Sequence, residues 1–123
     1  MDKKATILTV DDVESMRFAI KTILEDYDYE VLEAANGREA LQVLETKAID
    51  IFLVDINMPG MGGSELIHAI RSRPQYKTTP ILMVTLQQHE EYKKLCKDLG
   101  ATGWICKPFE VETIVETVQK FVA

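Results

Sequence analysis

Three carboxylates, a hydroxyl and an ammonium each follow a short apolar run in this chain. Asp11 and Asp12 come after ATILTV (5–10), Asp55 after IDIFLV (49–54), Thr85 after PILMV (80–84), and Lys107 with Pro108 after GWIC (103–106). If those runs are parallel strands, all five groups share one edge of a sheet. Carboxylates so gathered repel one another, and a hard divalent cation with oxygen ligands relieves that repulsion; Mg2+ suits such a set, with Mn2+ as the alternative. A cation beside a lysine makes a positive cradle for a phosphoryl group. An aspartate in that cradle can attack phosphorus and become an aspartyl phosphate.

Taken singly, each residue has a plainer reading. Asp11 and Asp12 resemble an N-cap and first-turn acids, and Asp55 a turn residue. Thr85 reads as a cap and Lys107 as a solvated charge. Their joint occurrence at corresponding strand ends favours phosphoryl transfer to a carboxylate.

The elements that must position these groups alternate in kind. YEVLEA (29–34) adds a second strand to the four runs above, and its end, Ala34-Ala35, carries no reactive group, as a strand at the far edge would. Between strands, apolar residues recur at helical spacing. Met16, Ile20, Ile23 and Leu24 form one stripe; Ala40, Leu41 and Leu44 a second; Leu66, Ile67 and Ile70 a third, ahead of Pro74. Val111, Ile114, Val115, Val118 and Val122 form the cleanest. Residues 86–100 carry sparse apolar positions (Tyr92, Leu95, Cys96, Leu99) before Gly100, which predicts the most exposed and least anchored helix. Five strands alternating with five helices predict an α/β fold: an open, doubly wound parallel sheet with ligands beyond the carboxyl ends of its strands.

Composition bounds the rest. The 123 residues fit one domain, and with 46% apolar and 28% charged residues the core needs no metal or disulfide staple. A net charge of −6 without a basic cluster argues against a nucleic-acid surface. No apolar run nears the roughly 18 residues of a membrane span, so no membrane role and a cytoplasmic location are expected. The two cysteines, Cys96 and Cys106, are too few for a disulfide framework and read as reduced, mostly buried thiols.

The motifs VDDVESMR, LVDINMPGMGG, VTL and GATGWICKPF, in that order and spacing, resemble the receiver domains of two-component response regulators, most closely the CheY-like stand-alone chemotaxis branch. The resemblance covers essentially the whole chain and implies one receiver domain over 1–123, with its sheet in the order 2-1-3-4-5, flavodoxin-like. It implies Asp55 as phosphoacceptor, Asp12 as direct metal ligand and Asp11 as a ligand acting through water. Asn57 would complete the Mg2+ shell through its backbone carbonyl, and Lys107 would pair with the phosphoryl group, or with Asp55 in its absence. The Lys107–Pro108 bond corresponds to one that is cis in the family. Thr85 and Trp104 match the switch pair, in which a hydroxyl moves to the phosphoryl oxygen and an aromatic turns inward behind it. Where relatives carry tyrosine, Trp104 offers only an N–H donor.

The chain departs from the family pattern at Gly62, where an acid or amide is common, and at Leu86, where a small residue is common. Gly62 implies a more mobile loop, and the bulk of Leu86 could oppose inward movement of Thr85 or Trp104. Gln87 lies near where water would attack the aspartyl phosphate.

The implied role is a signalling phosphoprotein rather than an enzyme. It would take its phosphoryl group from a histidine kinase, present its helix 4–strand 5–helix 5 face to an output protein such as the flagellar motor switch, and act as a monomer served by a phosphatase. With no output domain after Ala123, output is expected through protein–protein contact. A phosphorelay shuttle or a regulator of a non-motility partner is the alternative within this reading. Outside it stand an aspartate-nucleophile phosphohydrolase, whose second acid Asp55-Ile56-Asn57 lacks, and a flavodoxin-like cofactor binder, which leaves the acids unexplained.

Overall fold

The computed structural model describes residues 4–56, 62–85 and 90–122. Asn57, Leu86 and Gln87, singled out above, lie outside the described residues, as does the side chain of Tyr92. Five strands and five α-helices alternate among the described residues: β1 (Thr6–Val10), α1 (Glu14–Glu25), β2 (Glu30–Ala34), α2 (Gly37–Val43), β3 (Ile51–Asp55), α3 (Gly63–Arg71), β4 (Ile81–Thr85), α4 (Glu90–Leu99), β5 (Gly103–Cys106) and α5 (Val111–Phe121). A short 3-10 turn, Pro74–Tyr76, leads into β4. The strands form one parallel sheet in the order β2-β1-β3-β4-β5.

Burial follows position in the sheet. Every residue of β1, β3 and β4 is buried, whereas the edge strands β2 and β5 alternate. Central strands covered on both faces read as unbroken apolar runs, which is why they stood out in the sequence. Ile20 and Leu24 of α1 and Ile114, Val115 and Val118 of α5 cover one face. Ala40 of α2, Leu66, Ile67 and Ile70 of α3, and Cys96 of α4 cover the other. Val111 departs from the expected stripe: it is 45% exposed, because it opens α5 just after the Glu110 N-cap and contact with the sheet begins at Ile114. Among the described side chains of α4 only Cys96 is buried, and burial raises its thiol pKa. Cys106, expected to be buried, is only half-buried on the edge strand.

Two strand boundaries move toward the reactive edge. β3 and β4 include Asp55 and Thr85 as their last residues rather than ending before them. The ladder carries on there: Ile56 N–H donates to Val84 O at 3.3 Å and Lys107 N–H to Thr85 O at 2.6 Å. β4 begins after Pro80, whose nitrogen has no proton to give a ladder, though its carbonyl accepts from Phe52 N–H at 3.0 Å.

The helix ends have specific causes. Gly100, at φ 80°, closes α4 in a Schellman motif, with Ala101 N–H on Cys96 O and Gly100 N–H on Lys97 O. Arg71 binds that turn from α3, donating to Gly100 O at 2.9 Å and to Tyr76 O and Thr79 O at 2.6 and 2.7 Å. No described helix is long and apolar enough to cross a membrane.

Candidate functional site

The order β2-β1-β3 reverses winding direction between β1 and β3, which opens a crevice beyond their carboxyl ends. Asp11 and Asp12 leave β1 into that crevice, and Asp55 ends β3 beside them. Carboxylate oxygens of Asp11, Asp12 and Asp55 lie within 4.8 Å of one another, a group able to hold a metal ion. Asp11 and Asp55 are buried, at 1% and 4% exposure, while Asp12 faces solvent. The donors are all hard oxygens, and the set has one exposed member through which a hydrated cation can approach.

The acids do not cap the following helix. α1 begins at Glu14 with Val13 at its N-cap, and no side chain caps it. Asp11 instead turns its carboxylate back on the loop, where Oδ1 accepts from Val13 N–H at 2.9 Å. Its backbone N–H donates to Ala34 O at 3.1 Å, and its carbonyl accepts from Arg17 at 2.5 Å.

Lys107 reaches the acids from the end of β5. Its Nζ lies 3.0 Å from Asp11 Oδ2 and 3.4 Å from Asp55 Oδ2, with the lysine side chain 11% exposed. Desolvation, the largest single influence on this ammonium, lowers its pKa. The hydrogen bond to Asp11, the charges of Asp55 and Asp11 and the hydrogen bond to Asp55 together outweigh it, so the pKa is raised above the ordinary 10.5. The Lys107–Pro108 peptide bond is cis.

Thr85 is fully buried at the end of β4, opposite Cys106 in the parallel register, and Met83 pairs with Trp104. Side chains two apart on a strand share a face, so Thr85, Met83, Trp104 and Cys106 all lie on the same side of the sheet. Trp104 is 38% exposed there, an aromatic directed toward solvent rather than packed in the core.

Gly63 is indispensable on geometric grounds. It opens α3 against the end of β3, and a Cβ there would meet Ile56 Cα and come within 2.6 Å of Asp55 O. In the sequence, Gly62 stood out and Gly63 did not. The Arg17–Glu33 pair, Nε to Oε1 at 3.5 Å, also escaped sequence reading, because both residues look like surface charges on separate elements.

Residues 7–119 match the family described as "Response regulator receiver domain". The chain is 36% identical to the chemotaxis protein CheY of Pseudomonas aeruginosa over 115 residues, covering 93% of each chain. It is also 36% identical to the chemotaxis protein CheY-3 of Vibrio cholerae over 121 residues, covering 98% of this chain and 93% of that one. The solved structure of the Vibrio cholerae chemotaxis protein CheY4 superposes with a TM-score of 0.94 at 44% identity, covering 98% of this chain and all of that one. A family match across most of the chain, the sheet order and the convergent acids lead to one assignment: the chain belongs to the response regulator receiver domain family.

Proposed function

We propose that this chain is a single receiver domain over residues 1–123 that accepts a phosphoryl group on Asp55 from a histidine kinase and passes the signal on by protein–protein contact. The observation that carries this reading is the convergence of Asp11, Asp12 and Asp55 with the Lys107 ammonium on two of them. Buried acids at such a spacing need compensating charge, and one lysine offsets only part of it.

The donor set fits Mg2+, which Asp11, Asp12, Asp55 and the Asn57 carbonyl would hold. When bound it supplies positive charge that stabilises the transferring phosphoryl oxygens. A carboxylate oxygen of Asp55 attacks phosphorus of the phosphohistidine. The P–N bond breaks as the P–O bond forms, and the imidazole nitrogen keeps the electron pair and takes up a proton. Lys107, already beside Asp55, pairs with the new phosphoryl oxygens, and Thr85 donates its hydroxyl to one of them. Burial of Asp55 and Thr85 excludes bulk water and strengthens these contacts.

The same sheet face carries the signal outward. Trp104 follows Thr85 inward, and the helix 4–strand 5–helix 5 surface changes shape. A groove of about 410 Å3 lies along strand 5 and helix 5, lined by Trp104, Cys106, Phe109, Glu110, Thr113 and Thr117. The output protein in this reading is one such as the flagellar motor switch, in keeping with relatives that are chemotaxis proteins. The protein acts in the cytoplasm as a monomer, and a phosphatase or its own hydrolysis ends the signal.

Incubation with a phosphorylated histidine kinase tests the reading. The wild-type chain should gain a hydroxylamine-labile phosphoryl group, as an acyl phosphate requires, and Asp55→Asn should gain none. A hydroxylamine-stable linkage would reject Asp55 as acceptor.

A further inference from the structure

The peptide joining Asp11 to Asp12 is held from outside the acid cluster. Its carbonyl oxygen accepts from the Arg17 guanidinium on α1 at 2.5 Å. That guanidinium is braced by Glu33 of β2, at 3.5 Å, with the arginine side chain only 14% exposed. Glu33 is itself paired with Lys21, at 3.7 Å. On the other side, Asp11 N–H is fixed to Ala34 O.

This arrangement sets one degree of freedom that the carboxylates cannot set for themselves. Asp11 is tied through its own side chain to Val13 N–H and Lys107 Nζ. Asp12 is exposed, and its direction depends on the plane of the peptide before it. That plane is set by ψ of Asp11: a change there takes the carbonyl off Arg17 and, unless φ of Asp12 compensates, swings the Asp12 carboxylate away from Asp11 and Asp55. A carbonyl at the end of β1, just beyond the ladder, needs a donor, and Arg17 supplies a charged one with a fixed planar fork.

We propose that Arg17, braced by Glu33, is a positioning residue for cation binding: it locks the Asp11–Asp12 peptide so that Asp12 points into the acid cluster. The proposal rests on the Mg2+-dependent phosphoacceptor reading above. Outer partners that orient metal ligands typically change affinity by about 10- to 100-fold. Charge alone predicts the opposite sign, since removing a nearby cation should tighten Mg2+ binding.

Calorimetric titration of the full chain with Mg2+, without phosphodonor, tests it. Arg17→Gln should raise the Mg2+ Kd about tenfold. Glu33→Gln should raise it by a smaller factor, and Arg17→Lys, which keeps a donor but not the fork, should fall between wild type and Arg17→Gln. The Val13 amide resonance, which reports the Asp11 carboxylate, should respond to Mg2+ less in Arg17→Gln than in wild type. Should Arg17→Gln fail to fold, Glu33→Gln and Arg17→Lys decide. An unchanged or tighter Kd in the folded variants overturns the positioning role while leaving the phosphoacceptor reading intact. A wild-type chain that binds no Mg2+ overturns both.

Discussion

Lys107 sits closer to Asp11 than to Asp55: its Nζ is 3.0 Å from Asp11 Oδ2 and 3.4 Å from Asp55 Oδ2. Family resemblance implied a pairing with Asp55, and the structure adds a shorter one with an acid of the proposed cation site. The ammonium therefore occupies part of the charge compensation that Mg2+ would provide. On the proposed reading the two cations would compete for Asp11, and Lys107 would become available to the phosphoryl group once Mg2+ displaces it.

Competition of this kind has a measurable sign. Lys107→Met should bind Mg2+ more tightly, by roughly three- to tenfold as expected for removal of a unit charge a few ångströms away. It should nonetheless accept phosphoryl groups poorly, because the donor to the new oxygens is gone. Weaker Mg2+ binding in Lys107→Met, measured by calorimetry, would contradict the competition.

The raised pKa of Lys107 links stability to alkaline pH. The folded state holds this proton more firmly than the unfolded chain does. The stabilisation is therefore complete below the ordinary value of 10.5 and is lost as pH rises through the higher folded value. Tyr29 and Cys96, both raised by burial, contribute a fall of the same sign. Urea unfolding of wild type and Lys107→Met from pH 8 upward separates them. The wild type should lose more stability above pH 10.5 than the variant, and parallel curves would mean that Lys107 adds nothing.

Gly63→Ala should be strongly destabilising. A methyl group there meets the backbone of Ile56 and Asp55 rather than a movable side chain. Relief requires α3 to back away from β3, at a cost of about 3 kcal/mol by the scale of overpacked sites. Chemical denaturation checks the magnitude. Gly62→Ala serves as the control, since residue 62 has φ −71° and an extended backbone that any side chain accepts.

Trp104 is the lone tryptophan, so its emission reports one position. It now stands 38% exposed on the face that Thr85 shares. Inward rotation on phosphorylation should blue-shift the emission as the indole leaves water. An unchanged spectrum in a phosphorylated sample would identify Trp104 as a static surface aromatic.

Sequence made the reactive edge legible for a physical reason. Central strands of a parallel sheet are buried on both faces, so their apolar runs end abruptly where a polar group must emerge. Asp11, Asp55 and Thr85 were visible as such interruptions, Lys107 stood at the corresponding end of the edge strand, and the parallel sheet followed from the strand–helix alternation, its order from the family resemblance. Contacts between elements distant in sequence were not legible. Glu33 and Arg17 each read as surface charge until β2 and α1 are placed side by side. Gly63 did not stand out in the sequence because its constraint comes from the backbone at the end of β3. Val111 fitted the apolar period of α5 yet lies exposed, since periodicity fixes a face but not where along the helix contact begins.

Intact mass after incubation with a small phosphodonor such as acetyl phosphate addresses the central claim most directly. Wild-type chain with Mg2+ should gain a single phosphoryl group, and the gain should vanish when Mg2+ is chelated or when Asp55→Asn is used. Equal modification of Asp55→Asn, or none in the wild type with Mg2+ present, would contradict the account.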